Sequence, residues 1–300
     1  MKAVRLHDYG DVDQLKYEDA PDPVPGPGEV LLRVLATSVN PYDLKVRSGV
    51  FKSIAPITFP YISGSDVAGE VVQIGPGTSG FSLGEKVMGM VSAAYAELLS
   101  AKATSLTPIP EGLSPQIAGA LPVVLTTGAE IVEHMAPRRN DTVLINGALG
   151  SVGRVAVYVA KTLGARVIAG VRASQITAAK SLGAHAVVAV DDDHAISELP
   201  VLDAVGDTVG KDVIPKLIPK IKDGGALISV VGVPKAAEGR NIRTQMFSAH
   251  PNPARLKELV QAFQRTELTI PIAETFPLAR AADAQVLAAR GVVGKIVLVP

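Results

Sequence analysis

The sequence predicts an α/β fold in which a β-rich region precedes a doubly wound parallel sheet. From about residue 142 onward, short apolar runs alternate with helical patterns of about 10 to 13 residues. Over roughly the first 120 residues, strand-like runs are separated by glycine and proline turns, and helical patterns are scarce. Strands that alternate with helices favour a parallel sheet, because parallel neighbours need a crossover connection.

In the β-rich region, the strand-like runs are residues 30–36, 67–75 and 85–91. The turn-rich segment 21–28 precedes the first run, and Gly75-Pro76-Gly77 ends the second. The chain closes with another strand-like run, residues 294–299, which could return to this region.

In the second region, the predicted strands are nearly all apolar, which fits a sheet covered by helices on both faces. The strands are residues 142–146, 166–171, 186–190, 201–205 and 226–231, and the helices are residues 151–163, 174–182 and about 211–221.

Charge and composition exclude several classes of function. Lys plus Arg and Asp plus Glu are equal at 29 each, so no net field favours nucleic acid or an anionic membrane. The absence of cysteine excludes disulfides, thiolate catalysis and cysteine-bound metal. The five histidines show no ligand spacing, and no apolar run approaches the roughly 20 residues of a membrane span. We therefore expect a small-molecule partner, no metal, no membrane and, since the first residues lack a signal-peptide pattern, a cytoplasmic location.

The turn between the strand at 142–146 and the next helix has the pattern of a phosphate-binding loop. Gly150 would let the backbone approach a pyrophosphate, and Gly153 would let the helix pack closely on the strand. Because strand, turn, helix and second strand follow in order, we predict a Rossmann dinucleotide site; a turn with glycines for packing alone is the alternative. Ala148 replaces the first glycine of the usual fingerprint. The predicted contact residues are Gly147, Ala148, Gly150, Ser151, Val152 and Gly153.

The end of the next predicted strand indicates which dinucleotide binds. NAD sites place an acid about 20 residues after the glycines, where it accepts hydrogen bonds from the ribose 2′-OH. Here the strand ends in Gly170-Val171-Arg172-Ala173-Ser174, and the next acid is Asp191. Arg172 and Ser174 offer a guanidinium and a hydroxyl to a 2′-phosphate, which favours NADPH. The alternative is that Arg172 is an ordinary solvated residue near a helix start.

Together with motifs in the first half, these residues resemble the medium-chain dehydrogenase/reductase superfamily, in its zinc-free quinone oxidoreductase (zeta-crystallin-like) branch. The similarity runs over essentially the whole chain. The motifs are, in chain order, Pro27-Gly28-Glu29-Val30-Leu31, Ser38-Val39-Asn40-Pro41-Tyr42-Asp43, Gly64-Ser65-Asp66-Val67-Ala68-Gly69-Glu70-Val71, Gly84-Glu85-Lys86-Val87-Met88-Gly89, Tyr95-Ala96-Glu97, Leu121-Pro122, Asp203-Ala204-Val205-Gly206-Asp207-Thr208-Val209-Gly210 and Gly294-Lys295-Ile296-Val297.

The resemblance implies a GroES-like β domain built from both chain ends and a Rossmann domain, with the active site in the cleft between them. We therefore expect domains at residues 1–121, 122–266 and 267–300, the last returning to the first. In the zinc-dependent branch a Gly-His-Glu stretch supplies a zinc ligand, and the corresponding residues here are Gly64-Ser65-Asp66. The cysteine ligand near residue 40 and the four-cysteine lobe are also missing, so the resemblance implies chemistry without zinc.

Without a metal, the expected reaction passes hydride from the nicotinamide to a carbon activated by conjugation, as in a quinone or an enone. Two alternatives stay open: an enoyl-thioester or 2-alkenal reductase, and an NADPH-binding redox sensor with little turnover. The resemblance also implies a homodimer.

Three candidates for the chemical step lie in one motif. Tyr42 could donate a hydrogen bond to the substrate oxygen as negative charge develops there, or it could be a wall that packs against the substrate. Asn40 and Asp43 are candidates beside it, and a turn stabilised by their side chains is the alternative.

Further cofactor contacts are expected outside the glycine-rich turn. Thr126 matches a family position near the nicotinamide. Ser229, Val231 and Gly232 end a predicted strand, at the edge of a parallel sheet where ligands gather. Lys295 either pairs with a phosphate or marks the end of a strand.

Overall fold

The computed structural model describes residues 1–210 and 212–300 and divides into two compact units. Unit 1 comprises Met1–Val123, Pro251–Gln264 and Ile270–Pro300, and unit 2 comprises Val124–His250 and Arg265–Thr269. The domain boundaries expected from the sequence, 1–121, 122–266 and 267–300, remain a prediction. The largest difference from them is the segment 251–264, which this division places in unit 1.

Strands dominate the beginning and the end of the described chain, and helices separate the strands in its middle. The strands are β1 Lys2–Leu6, β2 Leu15–Asp19, β3 Glu29–Val39, β4 Tyr61–Ile62, β5 Asp66–Ile74, β6 Lys86–Met90, β7 Leu98–Lys102, β8 Leu106–Pro108, β9 Thr142–Asn146, β10 Arg166–Val171, β11 Ala186–Ala189, β12 Leu202–Asp207, β13 Ile221–Ser229, β14 Arg243–Met246, β15 Ile272–Pro277 and β16 Lys295–Val299. The α-helices are α1 Pro41–Arg47, α2 Pro115–Ala118, α3 Pro122–Met135, α4 Ser151–Thr162, α5 Ile176–Ala179, α6 Asp193–Ser197, α7 Val213–Leu217, α8 Pro253–Gln264 and α9 Ala281–Ala289.

Unit 1 is built mainly from antiparallel strands. One sheet has the order β2-β1-β4, and the other has the order β15-β16-β3-β5-β6-β8 with β7 also paired to β3. The closing strand β16 pairs antiparallel with β3, where Val297 lies opposite Ser38, so the end of the chain does return to the β-rich region. Apolar side chains of these strands, such as Val30, Leu32 and Val87, are fully buried and form the core.

Unit 2 contains a parallel sheet with the strand order β11-β10-β9-β12-β13-β14. This order is that of a dinucleotide-binding Rossmann sheet, in which the first strand and the fourth strand are neighbours at the centre. Apolar residues of the strands and of α7, such as Leu144, Val205 and Ile214, form its core. The α/β fold with a doubly wound parallel sheet and a β-rich region built from both chain ends is therefore confirmed.

Several elements differ from the sequence-based expectation. Helix α3 was not predicted, because most of its residues are apolar and buried, and only the short polar series Thr126, Glu130 and Glu133 follows a helical spacing. The helix expected at 174–182 is only the short α5 between two 3₁₀ turns. The helix expected at about 211–221 is α7, with Lys211 outside the described residues; two prolines lie in and after it, and prolines interrupt helices.

One helical stretch, Pro115–Met135, has the length and composition of a membrane span, and 72% of its tested window is buried within the protein. A largely buried apolar stretch of this kind is also typical of the core of a soluble protein.

Candidate functional site

The turn after β9 begins with Gly147 in the left-handed region, at φ +80. A Cβ at this position would lie 2.3 Å from Thr208 Oγ1 and 2.6 Å from a methyl carbon of Val209, so a larger residue would clash. The amides of Gly147 and Ala148 both donate to the Gly170 carbonyl, at 3.0 and 3.1 Å, which ties the turn to the end of β10. Ala148 is accommodated in place of the usual glycine with its side chain fully buried.

Helix α4 begins directly after this turn. Gly150 is the N-cap residue, with extended backbone angles, and its carbonyl accepts the first helical hydrogen bond from the Arg154 amide at 2.9 Å. The amides of Ser151, Val152 and Gly153 therefore precede the helical ladder and have no acceptor within the helix. These amides and the helix dipole favour an anion at this end of α4.

The two glycines at the start of α4 have different surroundings. A Cβ on Gly153 would lie 2.2 Å from the Gly147 carbonyl oxygen and 2.8 Å from Ala148 Cα, so the helix packs directly on the turn. A Cβ on Gly150 would have its nearest described neighbour, the same carbonyl oxygen, at 3.2 Å and would otherwise face open space. Gly153 thus permits packing, whereas Gly150 leaves a cradle that a Cβ would narrow. Backbone amides around an open cradle fit a pyrophosphate.

The exit of β10 carries an exposed cation and an exposed hydroxyl, Arg172 and Ser174. The Arg172 amide donates to Gln175 Oε1 at 3.2 Å, and the Ala173 amide donates to Asp191 Oδ1 at 2.7 Å. Asp191 follows β11 and not β10, yet its carboxylate lies beside this exit. The exit therefore offers a guanidinium and a hydroxyl to an anion, with one carboxylate held nearby by the backbone.

Three more predicted cofactor contacts, Thr126, Val231 and Gly232, lie in unit 2. The Thr126 side chain on α3 is buried, and its Oγ1 has no hydrogen-bond partner among the described residues. A buried hydroxyl without a partner is uncommon, and this one fits a hydrogen bond to a polar group of a bound cofactor. Val231 and Gly232 form the turn after β13, at the carboxyl edge of the sheet, and their amides both donate to Ser229 Oγ at 3.1 Å.

In unit 1, Asn40 and Asp43 together stabilise the start of α1. Asn40 is the N-cap residue, and its amide donates to Asp43 Oδ2 at 2.8 Å. The Tyr95 hydroxyl donates to the same oxygen at 3.1 Å. Burial raises the pKa of Asp43 to about 6, against the lowering effect of these two hydrogen bonds, and burial with the nearby carboxylate raises the pKa of Tyr95. Both predicted candidates are buried, so the geometry favours the turn-stabilising alternative over a direct chemical role.

Lys295 lies in a buried polar cluster at the start of β16. Its ammonium donates to Asn40 Oδ1 at 2.6 Å and to the Val39 carbonyl at 3.3 Å, and it lies 3.4 Å from Asp66 Oδ2. Asp66 also accepts hydrogen bonds from Ser38 Oγ at 2.5 Å and from Asn40 Nδ2 at 2.8 Å. Lys295 is 4% exposed and has its three N–H groups directed at protein oxygens, so it does not present a free cation to a phosphate. It begins a strand and does not end one.

Tyr42 differs from its neighbours in the motif because its side chain is 47% exposed. Its ring stacks on Phe51, with 5.6 Å between centroids and 28° between planes. Lys45 Nζ lies 5.9 Å from the Phe51 ring centroid. The pair therefore presents an aromatic surface next to exposed Val50 and Ile54.

Two family descriptions match parts of the chain: the alcohol dehydrogenase GroES-like domain over residues 26–111 and the zinc-binding dehydrogenase over residues 182–298. Mouse quinone oxidoreductase is 32% identical over 247 residues, which cover 77% of this chain and 73% of that protein. The chain belongs to the quinone oxidoreductase branch of the medium-chain dehydrogenase/reductase superfamily. It is an oxidoreductase of that branch.

Other members of the superfamily match over nearly their whole length. The chloroplast envelope quinone oxidoreductase homolog of Arabidopsis thaliana is 29% identical and covers 100% of this chain, with 98% of that protein covered. The 2-haloacrylate reductase of a Burkholderia species is 28% identical, with 99% and 98% covered. Among solved structures, the quinone oxidoreductase from Coxiella burnetii has a TM-score of 0.91 at 29% identity, with 100% and 99% covered. Mycobacterial Rv1454c complexed with NADPH has a TM-score of 0.87 at 27% identity, with both chains fully covered.

Sequence reasoning did not assign a role to several buried polar residues of this oxidoreductase. Asp66 was considered only as a missing zinc ligand, yet it accepts four hydrogen bonds, one of them from the Val123 amide at 2.7 Å. Ser229 was expected at the ligand-binding edge of the sheet, but it was not grouped with Asn146 and Asp207, although each of the three ends a strand of the parallel sheet. Their common position at the carboxyl ends of apolar strands was the signal that could have joined them. In the described part of the chain, no group of three or more His, Asp or Glu side chains is arranged to hold a metal.

Proposed function

We propose that this oxidoreductase binds NADPH and reduces a quinone or another α,β-unsaturated carbonyl compound. The observation that carries the cofactor assignment is the exposed pair Arg172 and Ser174 at the exit of β10, joined to the phosphate-binding turn by the Gly170 carbonyl. When bound, NADPH supplies the hydride. The chain's own residues bind and orient the cofactor.

The residues of unit 2 fit the parts of NADPH. The amides at the start of α4 and the open cradle at Gly150 suit the pyrophosphate. The Arg172 guanidinium and the Ser174 hydroxyl suit the 2′-phosphate, because both are exposed groups that can donate hydrogen bonds to phosphate oxygens. The unpartnered Thr126 hydroxyl suits a polar group of the cofactor. That a similar structure, mycobacterial Rv1454c, was solved with NADPH supports the same cofactor here.

We further propose that the reaction does not use zinc, although one matching family is described as zinc-binding. Ser65 stands where the zinc-dependent branch has its histidine ligand, and the sequence contains no cysteine. The neighbouring carboxylate, Asp66, is fully buried and is already engaged by Lys295, Ser38, Asn40 and a backbone amide. Four donors, one of them a cation, already surround this carboxylate, so a metal could bind it only by displacing them.

The proposed substrate is a planar conjugated molecule. The exposed Tyr42 ring stacked on Phe51 offers a flat aromatic surface for such a ring, and the hydroxyl of this exposed side chain can donate a hydrogen bond to a carbonyl oxygen. A short 2-alkenal or an enoyl thioester is the second candidate, supported by the similarity to a 2-haloacrylate reductase. Steady-state rates with benzoquinone and with short 2-alkenals separate the two classes.

The cofactor assignment is tested by Arg172→Ala. Loss of a charged hydrogen bond costs about 1.5–3 kcal/mol, so the KM for NADPH should rise about tenfold or more, while the KM for NADH should stay within about twofold. Arg166→Ala is the matched control, because Arg166 is an exposed arginine at the opposite end of the same strand. An equal rise of both KM values in Arg172→Ala would remove the 2′-phosphate assignment.

Location and assembly remain proposals as well. We propose a cytoplasmic homodimer, by analogy with the family; the chloroplast envelope name of the Arabidopsis relative belongs to that protein. Sedimentation velocity over a range of concentrations tests the dimer.

A further inference from the structure

A buried carboxylate joins three strands at the carboxyl edge of the parallel sheet. Asp207, at the end of β12, is fully buried. Its Oδ1 accepts hydrogen bonds from Asn146 Nδ2 at 2.9 Å and from the amides of Val209 and Gly210 at 3.0 and 2.9 Å. Its Oδ2 accepts a hydrogen bond from Ser229 Oγ at 2.8 Å. Asp207 therefore binds the turn that follows its own strand and contacts the ends of β9 and β13.

Ser229 extends this network into the next turn. Its hydroxyl donates to Asp207 and accepts from the amides of Val231 and Gly232 at 3.1 Å each. One proton and two lone pairs are thus all used. The position of the Val231–Gly232 turn then depends on the orientation of one hydroxyl, and that orientation depends on the Asp207 carboxylate.

The turn after β12 also packs against the phosphate-binding turn. Thr208 Oγ1 donates to the Asn146 carbonyl at 2.8 Å, and Thr208 and Val209 occupy the space that a Cβ on Gly147 would need. The three turns after β9, β12 and β13 are therefore held to one another by direct contacts, with Asp207 at the centre.

The position of this network in the sheet indicates which half of the cofactor it affects. Strands β9 and β12 are neighbours at the point where the strand order reverses, and each half of a Rossmann sheet binds one mononucleotide. The strands β9, β10 and β11 form the half that includes the exit with Arg172. The turns that Asp207 holds, after β12 and β13, belong to the other half.

Resting on the proposed function, we propose that Asp207 is a positioning residue that fixes the nicotinamide-side turns relative to the phosphate-binding turn. It does not touch the cofactor itself. It sets the geometry of the backbone groups around Val209, Val231 and Gly232 by accepting hydrogen bonds from them directly or through Ser229.

The variant Asp207→Asn tests this with little change of shape. An asparagine oxygen can keep the three donors of Oδ1, but an NH₂ group then replaces Oδ2 opposite the Ser229 hydroxyl. Both lone pairs of the Ser229 hydroxyl already accept hydrogen bonds from backbone amides, so the new NH₂ group finds no acceptor there. The Ser229 hydroxyl proton also loses its acceptor, Oδ2 of Asp207. The contact that fails is the one that holds the Val231–Gly232 turn.

The experiment is calorimetric titration of the full chain with two ligands, NADPH and adenosine 2′,5′-bisphosphate, which lacks the nicotinamide half. We expect Asp207→Asn to weaken NADPH binding about tenfold, since one unsatisfied buried hydrogen bond costs about 1–3 kcal/mol. Binding of adenosine 2′,5′-bisphosphate should stay within about twofold of the wild-type value. Ser229→Ala removes the same contact from the other side and should give the same split, which keeps the test available if Asp207→Asn does not fold.

Asp203→Asn is the matched control, because Asp203 lies on the same strand β12 near its opposite end and accepts hydrogen bonds from the Thr142 amide and from Lys222. It should leave both affinities unchanged. If Asp207→Asn and Ser229→Ala weaken both ligands equally, or neither, the positioning role is wrong. If the wild-type chain itself binds neither ligand, the proposed function is wrong and this inference is lost with it.

Discussion

The two glycines at the start of α4 allow packing and cofactor binding to be separated by one kind of substitution. In Gly153→Ala, the new Cβ would lie 2.2 Å from the Gly147 carbonyl oxygen, more than 1 Å short of the 3.4 Å at which ordinary contact begins. That oxygen belongs to the backbone, so either the turn or the helix must move. In Gly150→Ala, the nearest described neighbour of the new Cβ is at 3.2 Å, which requires a shift of only a few tenths of an ångström.

These distances set the expected free energies. Overpacking costs about 1–3 kcal/mol, and a clash with a backbone atom, which cannot rotate away, places Gly153→Ala at the upper end of that range. Alanine inside a helix gains about 1 kcal/mol over glycine, so Gly153→Ala should lower the free energy of unfolding by about 2 kcal/mol. At the N-cap, alanine is disfavoured by about 0.5–1 kcal/mol relative to glycine, and the loss of unfolded-chain entropy returns about as much. Gly150→Ala should therefore leave the free energy of unfolding within about 0.5 kcal/mol of the wild-type value.

For NADPH binding we expect a loss in Gly150→Ala, the variant that keeps its stability. Gly150→Ala places a methyl group in the open cradle, so we expect its NADPH affinity to fall about tenfold or more, which is about 1.4 kcal/mol, without loss of stability. Urea unfolding followed by circular dichroism measures the first quantity, and titration with NADPH measures the second. Wild-type stability in Gly153→Ala would refute the packing argument, and wild-type NADPH affinity in Gly150→Ala would refute the cradle.

Three other substitutions test the polar residues of unit 1. Burial raises the pKa of Asp43 from 3.8 to about 6. Between about pH 4 and pH 6, Asp43 is therefore protonated in the folded chain and ionised in the unfolded chain. The free energy of unfolding should fall by about 3 kcal/mol as the pH rises through this window, at about 1.4 kcal/mol per pKa unit. Asp43→Asn should remove this decline in urea melts at a series of pH values, and an unchanged decline would contradict the buried proton. Lys295→Met should lower the free energy of unfolding by about 3 kcal/mol because Asp66 stays buried without its cation, whereas a raised KM for NADPH with unchanged stability would make Lys295 a phosphate ligand after all. Tyr42→Phe should lower kcat about tenfold or more if the hydroxyl stabilises the substrate oxygen, and an unchanged kcat would leave the ring as a packing surface.

The sequence was sufficient for the parts of the fold that follow from periodicity. Apolar strands and amphipathic α4 repeat with the periods of a parallel sheet and a surface helix, and the glycines between them mark the phosphate-binding turn. Helix α3 was missed because most of its residues are apolar and buried, which leaves only the short polar series Thr126, Glu130 and Glu133 to indicate a helix. Strand β14 was missed for a related reason, since the sequence Arg243-Thr244-Gln245-Met246 is largely polar and lacks the apolar pattern of its neighbours.

The candidate site was predictable where it depends on local backbone conformation. It was much less predictable where it depends on contacts between side chains that are distant in the sequence. Glycine positions and the exit of β10 are local features that a sequence displays directly. The neighbourhood of Lys295 is not local, because Asn40 and Asp66 lie 255 and 229 residues away from it along the chain. Its role in a buried cluster could be recognised only once β16 was paired with β3.

The two buried carboxylates, Asp66 and Asp207, differ in the groups that surround them, and we expect their substitutions to have different effects. Both are fully buried, and a buried charge is tolerated only when a cation or several hydrogen-bond donors surround it. Asp66 has a cation, Lys295, and mostly side-chain donors, so its loss should be felt chiefly as lost stability. Asp207 has no ion pair among the described residues and is bound by two amides and by a hydroxyl that holds two more amides. The Asp207 carboxylate therefore fixes the backbone of the turns after β12 and β13. A substitution at Asp207 should shift these turns more than it reduces the stability of the fold.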